Sequence, residues 1–224
     1  MSINTINKNP DLLRKWIDDE KLINEEYYRK NPDSLVLLFE EELRELGFEF
    51  EVTSQTIGFM PKHRKVVLPL ATKYYILARE TKRENEQQHF LAFFNYKCCE
   101  AVVPMLLEDY FSSDTSGLTR WFISDCLYSI CSKKYVSDYL NIVKNKQFGE
   151  NRQMIVLLLG KLKEECAIAT LVELLEDEEI CLQAICALGY FKDEKFKPIF
   201  ERFAASKHLG WRKYARAALR KLGN

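Results

Sequence analysis

The sequence is poor in the features that usually mark a catalytic or metal centre. Its three histidines, His63, His89 and His208, stand far apart and lack metal-ligand spacing. It has no glycine-rich loop that could cradle a phosphate and no nucleophile elbow. The expectation is therefore no catalytic set, no metal and no cofactor. The seven cysteines, Cys98, Cys99, Cys126, Cys131, Cys166, Cys181 and Cys186, are odd in number and form no paired Cys-x-x-Cys units. Most fall on apolar helix faces, where a free thiol packs as a small hydrophobe, so reduced thiols in a reducing compartment are expected. An excess of one charge is also missing. Lys and Arg number 33 against 33 Asp and Glu, which argues against a general polyanion binder. No apolar run approaches the ~18–20 residues of a membrane span, and the opening MSINTINKNPD lacks a hydrophobic leader region. A cytoplasmic protein without a membrane partner is expected.

What is present is repetition. From Arg152 to Phe203 the chain gives much the same pattern twice: an apolar helix ending in Leu-Gly, a short charged turn, and a second apolar helix. Leu159-Gly160 and Leu188-Gly189 are the clear pair. Leu127 and Leu219 continue the register at intervals of about 30 residues, and Phe94 is a fainter copy. Seven residues before these anchors stand Gln87, Arg120, Arg152, Cys181 and Arg212. Small or apolar residues then follow at helical spacing, as in Arg212, Ala215, Ala218 and Leu219. The Gly after the anchor is expected to end each helix by accepting a positive φ.

These residues resemble the HEAT and armadillo-like repeats, in which each unit is a pair of antiparallel helices. More narrowly, WFISDCL, FGENRQMIVLLLGKLK and LLEDEEICLQAICALGYFKD look like a family of small bacterial HEAT-repeat proteins. Trp121, Asp125 and Leu127 match one motif of that family, and Gly149, Arg152, Gln153 and Met154 match another, while Phe122 and Ser124 replace small residues. The resemblance covers roughly residues 30 to 222 and implies an all-α, right-handed α-α solenoid of about four to five helix pairs.

Taken in order, residues 1–9 read as frayed, and Pro10 to Tyr28 as one or two short helices. Asn31-Pro32-Asp33-Ser34 reads as a helix start. Phe48 to Val52 alternates apolar and acidic residues like a brief strand, so 48–60 reads as an extended excursion. It would either display Phe48, Phe50, Phe59 and Met60 or pack them beneath the first repeat. Pro69, Pro104 and Pro198 are expected in the first turns of second helices. Residues 1–60 thus form an N-terminal helical cap and 61–224 a single run of HEAT-like repeats.

Three groups of residues are candidates for contact. Charges on the second helices, expected to line the concave face, sum to −5. Among them Glu108, Asp109, Asp138, Glu173 and Glu176 suit a basic protein or peptide partner. Trp121 and Asp125, one turn apart, resemble the aromatic and carboxylate of HEAT-like alkylpurine DNA glycosylases, which would imply a nucleotide flanked by both. The matching C-terminal run has Ala217 where that family places a further Trp. The bland alternative packs Trp121 between repeats and pairs Asp125 with an arginine such as Arg152. The terminal helix, with Arg212, Lys213 and Arg216 beside Trp211 and Tyr214, reads either as a basic contact patch or as a polar cap. A HEAT-like bilin lyase is a third, weaker resemblance. The reading expected from these features is a non-catalytic interaction module, with a nucleic-acid-binding HEAT protein as the alternative.

Overall fold

The computed structural model describes residues 10–222; the frayed start expected at residues 1–9 lies outside them. The chain is all-α, with thirteen α-helices joined by short 3-10 turns and no strand among the described residues. None of the described helices is long and apolar enough to cross a membrane. The chain divides into two compact units at Cys98/Cys99.

The first unit holds α1 (Pro10–Lys30), α2 (Leu35–Glu45), α3 (Thr53–Ile57), α4 (Met60–Glu80) and α5 (Glu84–Leu91), so the sequence-based boundary after residue 60 falls inside it. The expected helix start at Asn31–Ser34 is shifted, with Pro32 in a turn before α2 rather than in its first turn; Ser34 is the cap, its Oγ accepting from the Val36 N–H at 3.2 Å. Glu86 of α5 reinforces that cap, accepting from the Leu35 N–H at 2.9 Å and from Ser34 Oγ at 2.7 Å. The core is aromatic. Phe39 meets Tyr74, Phe90 and Phe93 edge-on with centroids 5.7, 5.4 and 4.9 Å away. Helix α1 is held differently: it buries only Ile17. It is tied down by polar contacts, Arg14 and Lys21 on Glu51 at 3.0 and 2.7 Å and Tyr28 on Glu40 at 2.9 Å.

Two expectations fail in this unit. The alternating Phe48–Val52 segment is no strand, since no strand pairs with it among the described residues; it bends into α3, and residues 53–57 are helical. Its rings turn inward: Phe48 and Phe50 lie 5.0 and 6.1 Å from Phe59, Arg44 covers Phe50 at 4.3 Å, and Met60 is buried. Pro69 lies inside α4 rather than in its first turn, which Pro61 occupies instead. That helix breaks at His63, whose φ/ψ of −118°/26° is not helical. The faint repeat anchor at Phe94 falls in a 3-10 turn (Ala92–Phe94).

The second unit holds α6 (Val103–Phe111), α7 (Gly117–Ile130), α8 (Val136–Lys144), α9 (Gln153–Leu162), α10 (Ile168–Glu173), α11 (Cys181–Phe191), α12 (Lys197–Ala204) and α13 (Leu209–Leu222). The longer helices α7, α9, α11 and α13 pack side by side in that order. Each shorter helix, α6, α8, α10 and α12, packs against the longer helix that follows it. The anchors Leu127, Leu159 and Leu188 are fully buried. Pro104 and Pro198 stand in the first turns of α6 and α12, as expected.

The glycines after the anchors do not end their helices. Gly160 and Gly189 lie inside α9 and α11, and the left-handed caps are Cys131, Lys163 and Lys192, with φ of 56°, 55° and 56°. The glycines serve helix approach instead. A Cβ on Gly160 would stand 2.6 Å from the Ala187 Cβ, and one on Gly189 would stand 3.2 Å from the Ala218 Cβ.

Candidate interaction site

The arginines of the repeat register share one task. Arg120, opening α7, donates to the Tyr110 and Ser112 carbonyls at 2.9 and 2.6 Å. Arg152, opening α9, donates to the Gly149 and Val143 carbonyls at 2.8 and 3.2 Å. Arg212, in the first turn of α13, donates to the Ser206 carbonyl at 3.2 Å. Each guanidinium thus occupies at least one carbonyl at or just past the C-terminal end of the preceding shorter helix, where the helix leaves such groups unpaired, and Arg152 also takes Gly149 of the following 3-10 turn. At the fourth position stands Cys181, whose backbone N–H takes the Asp177 carbonyl at 2.7 Å.

Arg152 does more. It pairs with Asp177 at 2.9 Å and Glu179 at 2.8 Å, and only 1% of its side chain is exposed. This overturns the expected pairing of Arg152 with Asp125, because the acidic turn between α10 and α11 reaches the guanidinium first. It also removes Arg152 from any surface that a partner could touch.

Trp121 and Asp125 do share a face, on α7. Trp121 is 46% exposed and touches Phe122 edge-on at 5.7 Å, so it does not pack away between helices. Asp125 is half-buried and makes no hydrogen bond or ion pair among the described residues. Leu118, one turn earlier, is 58% exposed, which completes an apolar stripe ending in a carboxylate. Leu118 and Phe122 are absent from the sequence-based candidates, although Leu118 lies three residues before Trp121 and Phe122 three before Asp125. The stripe is bounded at its far end by Tyr128, whose ring carries Lys161 Nζ at 4.2 Å and whose carbonyl accepts from it at 3.0 Å.

No family model, curated protein or solved structure matches the chain.

The acidic candidates differ in exposure and pairing. Glu108 and Glu173 are exposed, Asp138 is half-buried, and Asp109 is enclosed in α6. Glu176 is already bound by Arg202 at 3.1 Å. On α13, Lys213 and Arg216 are exposed while Arg212 is occupied as described. The described residues contain no group of three His, Cys, Asp or Glu arranged to hold a metal ion. Cys99, Cys126 and Cys181 are buried packing groups while Cys166 is exposed, and burial pushes Cys186 up to about 11 and Cys126 well above the ordinary thiol range.

In the first unit, a cavity of about 300 Å³ is lined by Tyr27, Tyr28, Thr53, Glu86 and His89 among others. The His89 Nε2 is enclosed without a hydrogen-bond partner, and burial brings its imidazole down to about 4.

Proposed function

We propose that this chain is a non-catalytic protein-interaction module of HEAT-like helix pairs, a right-handed solenoid with an N-terminal helical cap. In this reading it is akin to small bacterial HEAT-repeat proteins and acts in the cytoplasm as an adaptor for a basic protein or peptide. The observation that carries the reading is the layer α7, α9, α11, α13, each helix seated beside the last, with an arginine opening three of the four. Repetition of this kind makes an extended surface rather than an enclosed cleft, which suits binding a chain more than reacting with a small substrate. The exposed carboxylates Glu108 and Glu173 and the half-buried Asp125 supply negative charge for a basic partner.

The test is capture of partners by the purified chain, compared with a variant carrying Glu108→Lys, Asp125→Lys and Glu173→Lys. Partners with basic segments that are lost on charge reversal support the reading. Retention of every captured partner by the reversed variant sinks it.

One other reading has a specific observation in its favour. Trp121 is exposed beside the unpaired Asp125, and Lys213 and Arg216 are exposed on α13, an arrangement suited to a nucleic-acid-binding protein like the alkylpurine glycosylases. Duplex DNA binding that falls steeply with salt, and is weakened by Lys213→Ala and Arg216→Ala, would favour it. Absence of binding at low salt would retire it.

A further inference from the structure

Unpaired charge next to exposed apolar surface is concentrated on α7. Leu118, Trp121, Phe122 and Asp125 occupy positions i, i+3, i+4 and i+7, so they form one face about 10 Å long. Leu118 and Trp121 leave large apolar areas in water. At the repeat position of Asp125, the following longer helices carry Leu157, Cys186 and Ala217, all half-buried. A carboxylate therefore stands at the end of a row that the neighbouring helices fill with apolar groups.

Half-buried and without a partner, the Asp125 carboxylate is under-compensated in this setting. The indole beside it attracts cations through its face. Two cations of α7 and α9 are committed elsewhere: Arg120 to the Tyr110 and Ser112 carbonyls, and Lys161 to the Tyr128 carbonyl and ring. The face thus offers an apolar bed, Leu118, Trp121 and Phe122, leading to one acceptor for a positive charge at its end.

We propose that this face of α7 docks a basic amphipathic helix from a partner protein. An apolar side chain of the guest lies against Leu118 and Trp121, and a Lys or Arg one turn along sits between the Trp121 indole and the Asp125 carboxylate. Two turns of α7 match two turns of such a guest, the usual geometry of a helix laid on an apolar face. The proposal rests on the interaction reading above and names its surface and its partner class.

The test is fluorescence anisotropy of a labelled amphipathic leucine–lysine peptide titrated with the full chain. A leucine–glutamate peptide of the same apolar pattern and a labelled DNA duplex run as comparisons. Expected is saturable binding of the lysine peptide alone, weakened about tenfold or more by Trp121→Ala and about three- to tenfold by Asp125→Asn. Both sites are partly exposed, so circular dichroism and Tm should stay at wild-type values. A control carrying Glu178→Lys, an exposed acid in the turn before α11 and outside this face, should bind as the wild type does. Binding that survives Trp121→Ala and Asp125→Asn overturns this surface while leaving the interaction reading intact. Equal binding of both peptides overturns the charge argument. Binding of the duplex alone, lost in Trp121→Ala, overturns the proposal in favour of nucleic acid.

Discussion

Gly160 of α9 meets Ala187 of α11 so closely that a methyl group on Gly160 would stand 2.6 Å from the Ala187 Cβ and 2.7 Å from its carbonyl oxygen. The obstructing atoms include backbone, which cannot swing aside. Gly160→Ala is therefore expected to destabilise the protein by about 1–3 kcal/mol, even though alanine is the better helix former by about 1 kcal/mol. Gly189→Ala is the comparison, since there the nearest obstacle is the Ala218 Cβ at 3.2 Å. Small relaxation and the propensity gain should leave it near neutral. Urea unfolding of the two variants checks this, and equal effects would refute the close-approach explanation.

Arg152 carries a different kind of constraint. Its enclosed guanidinium pairs with the largely buried Asp177 and the half-exposed Glu179 and also serves two backbone carbonyls. Removing it strands the Asp177 carboxylate and the Val143 and Gly149 carbonyls, so Arg152→Ala should cost about 3–5 kcal/mol. Arg152→Lys should fall between, because an ammonium cannot span these acceptors at once. The loss should depend little on salt, as the pair is shielded from mobile ions. A surface arginine would instead give a loss below about 1 kcal/mol that shrinks further at high salt.

These two residues also mark how far sequence reading reaches. The phase of Leu127, Leu159 and Leu188 was legible because helical periodicity and a repeat of about 30 residues reinforce each other, and all three anchors are buried. Periodicity places residues on one helix but does not say which neighbouring turn lies across from them. Arg152 was therefore matched to Asp125, whereas its partners come from the turn before α11. Gly160 was read as a helix stop because a glycine near a helix end usually is one, and only the packed α9–α11 pair reveals the contact that excludes a side chain. On α7, the spacing of Trp121 and Asp125 fixed their shared face. Their exposure depended on what stands alongside, which spacing does not encode. The Phe48–Val52 alternation misled because a strand requires a partner strand, and no residue count supplies one.

The left-handed caps give a third prediction. Lys163 and Lys192 hold φ of 55° and 56°, a region that glycine occupies without steric cost. Lys163→Gly and Lys192→Gly should each stabilise the protein by about 0.5–1 kcal/mol. Chemical denaturation of the two variants measures this. A loss of stability in both would mean that the lysine side chains contribute more than their backbone strain costs.

His89 gives the fourth, through pH. Its ring lies against Phe90 and Phe93 at 5.4 and 5.9 Å, with Glu86 one turn away on α5 and Tyr27 and Tyr28 of α1 across the shared cavity. Burial holds the folded imidazole at about 4, whereas in the unfolded chain it titrates near 6.5. Between those values the unfolded state binds more protons, so the contribution of His89 is complete above about pH 6.5 and is lost as pH falls towards 4. The full difference corresponds to about 3 kcal/mol. Carboxylates also titrate in acid, so the informative quantity is the contrast with His89→Gln, which keeps them and removes the imidazole. Urea unfolding at steps from pH 7 to pH 4 should show the wild type losing on the order of 2–3 kcal/mol more than the variant. Parallel pH profiles would mean that the imidazole is as easily protonated in the folded protein as in the unfolded chain, and that the cavity beneath α1 is open to water.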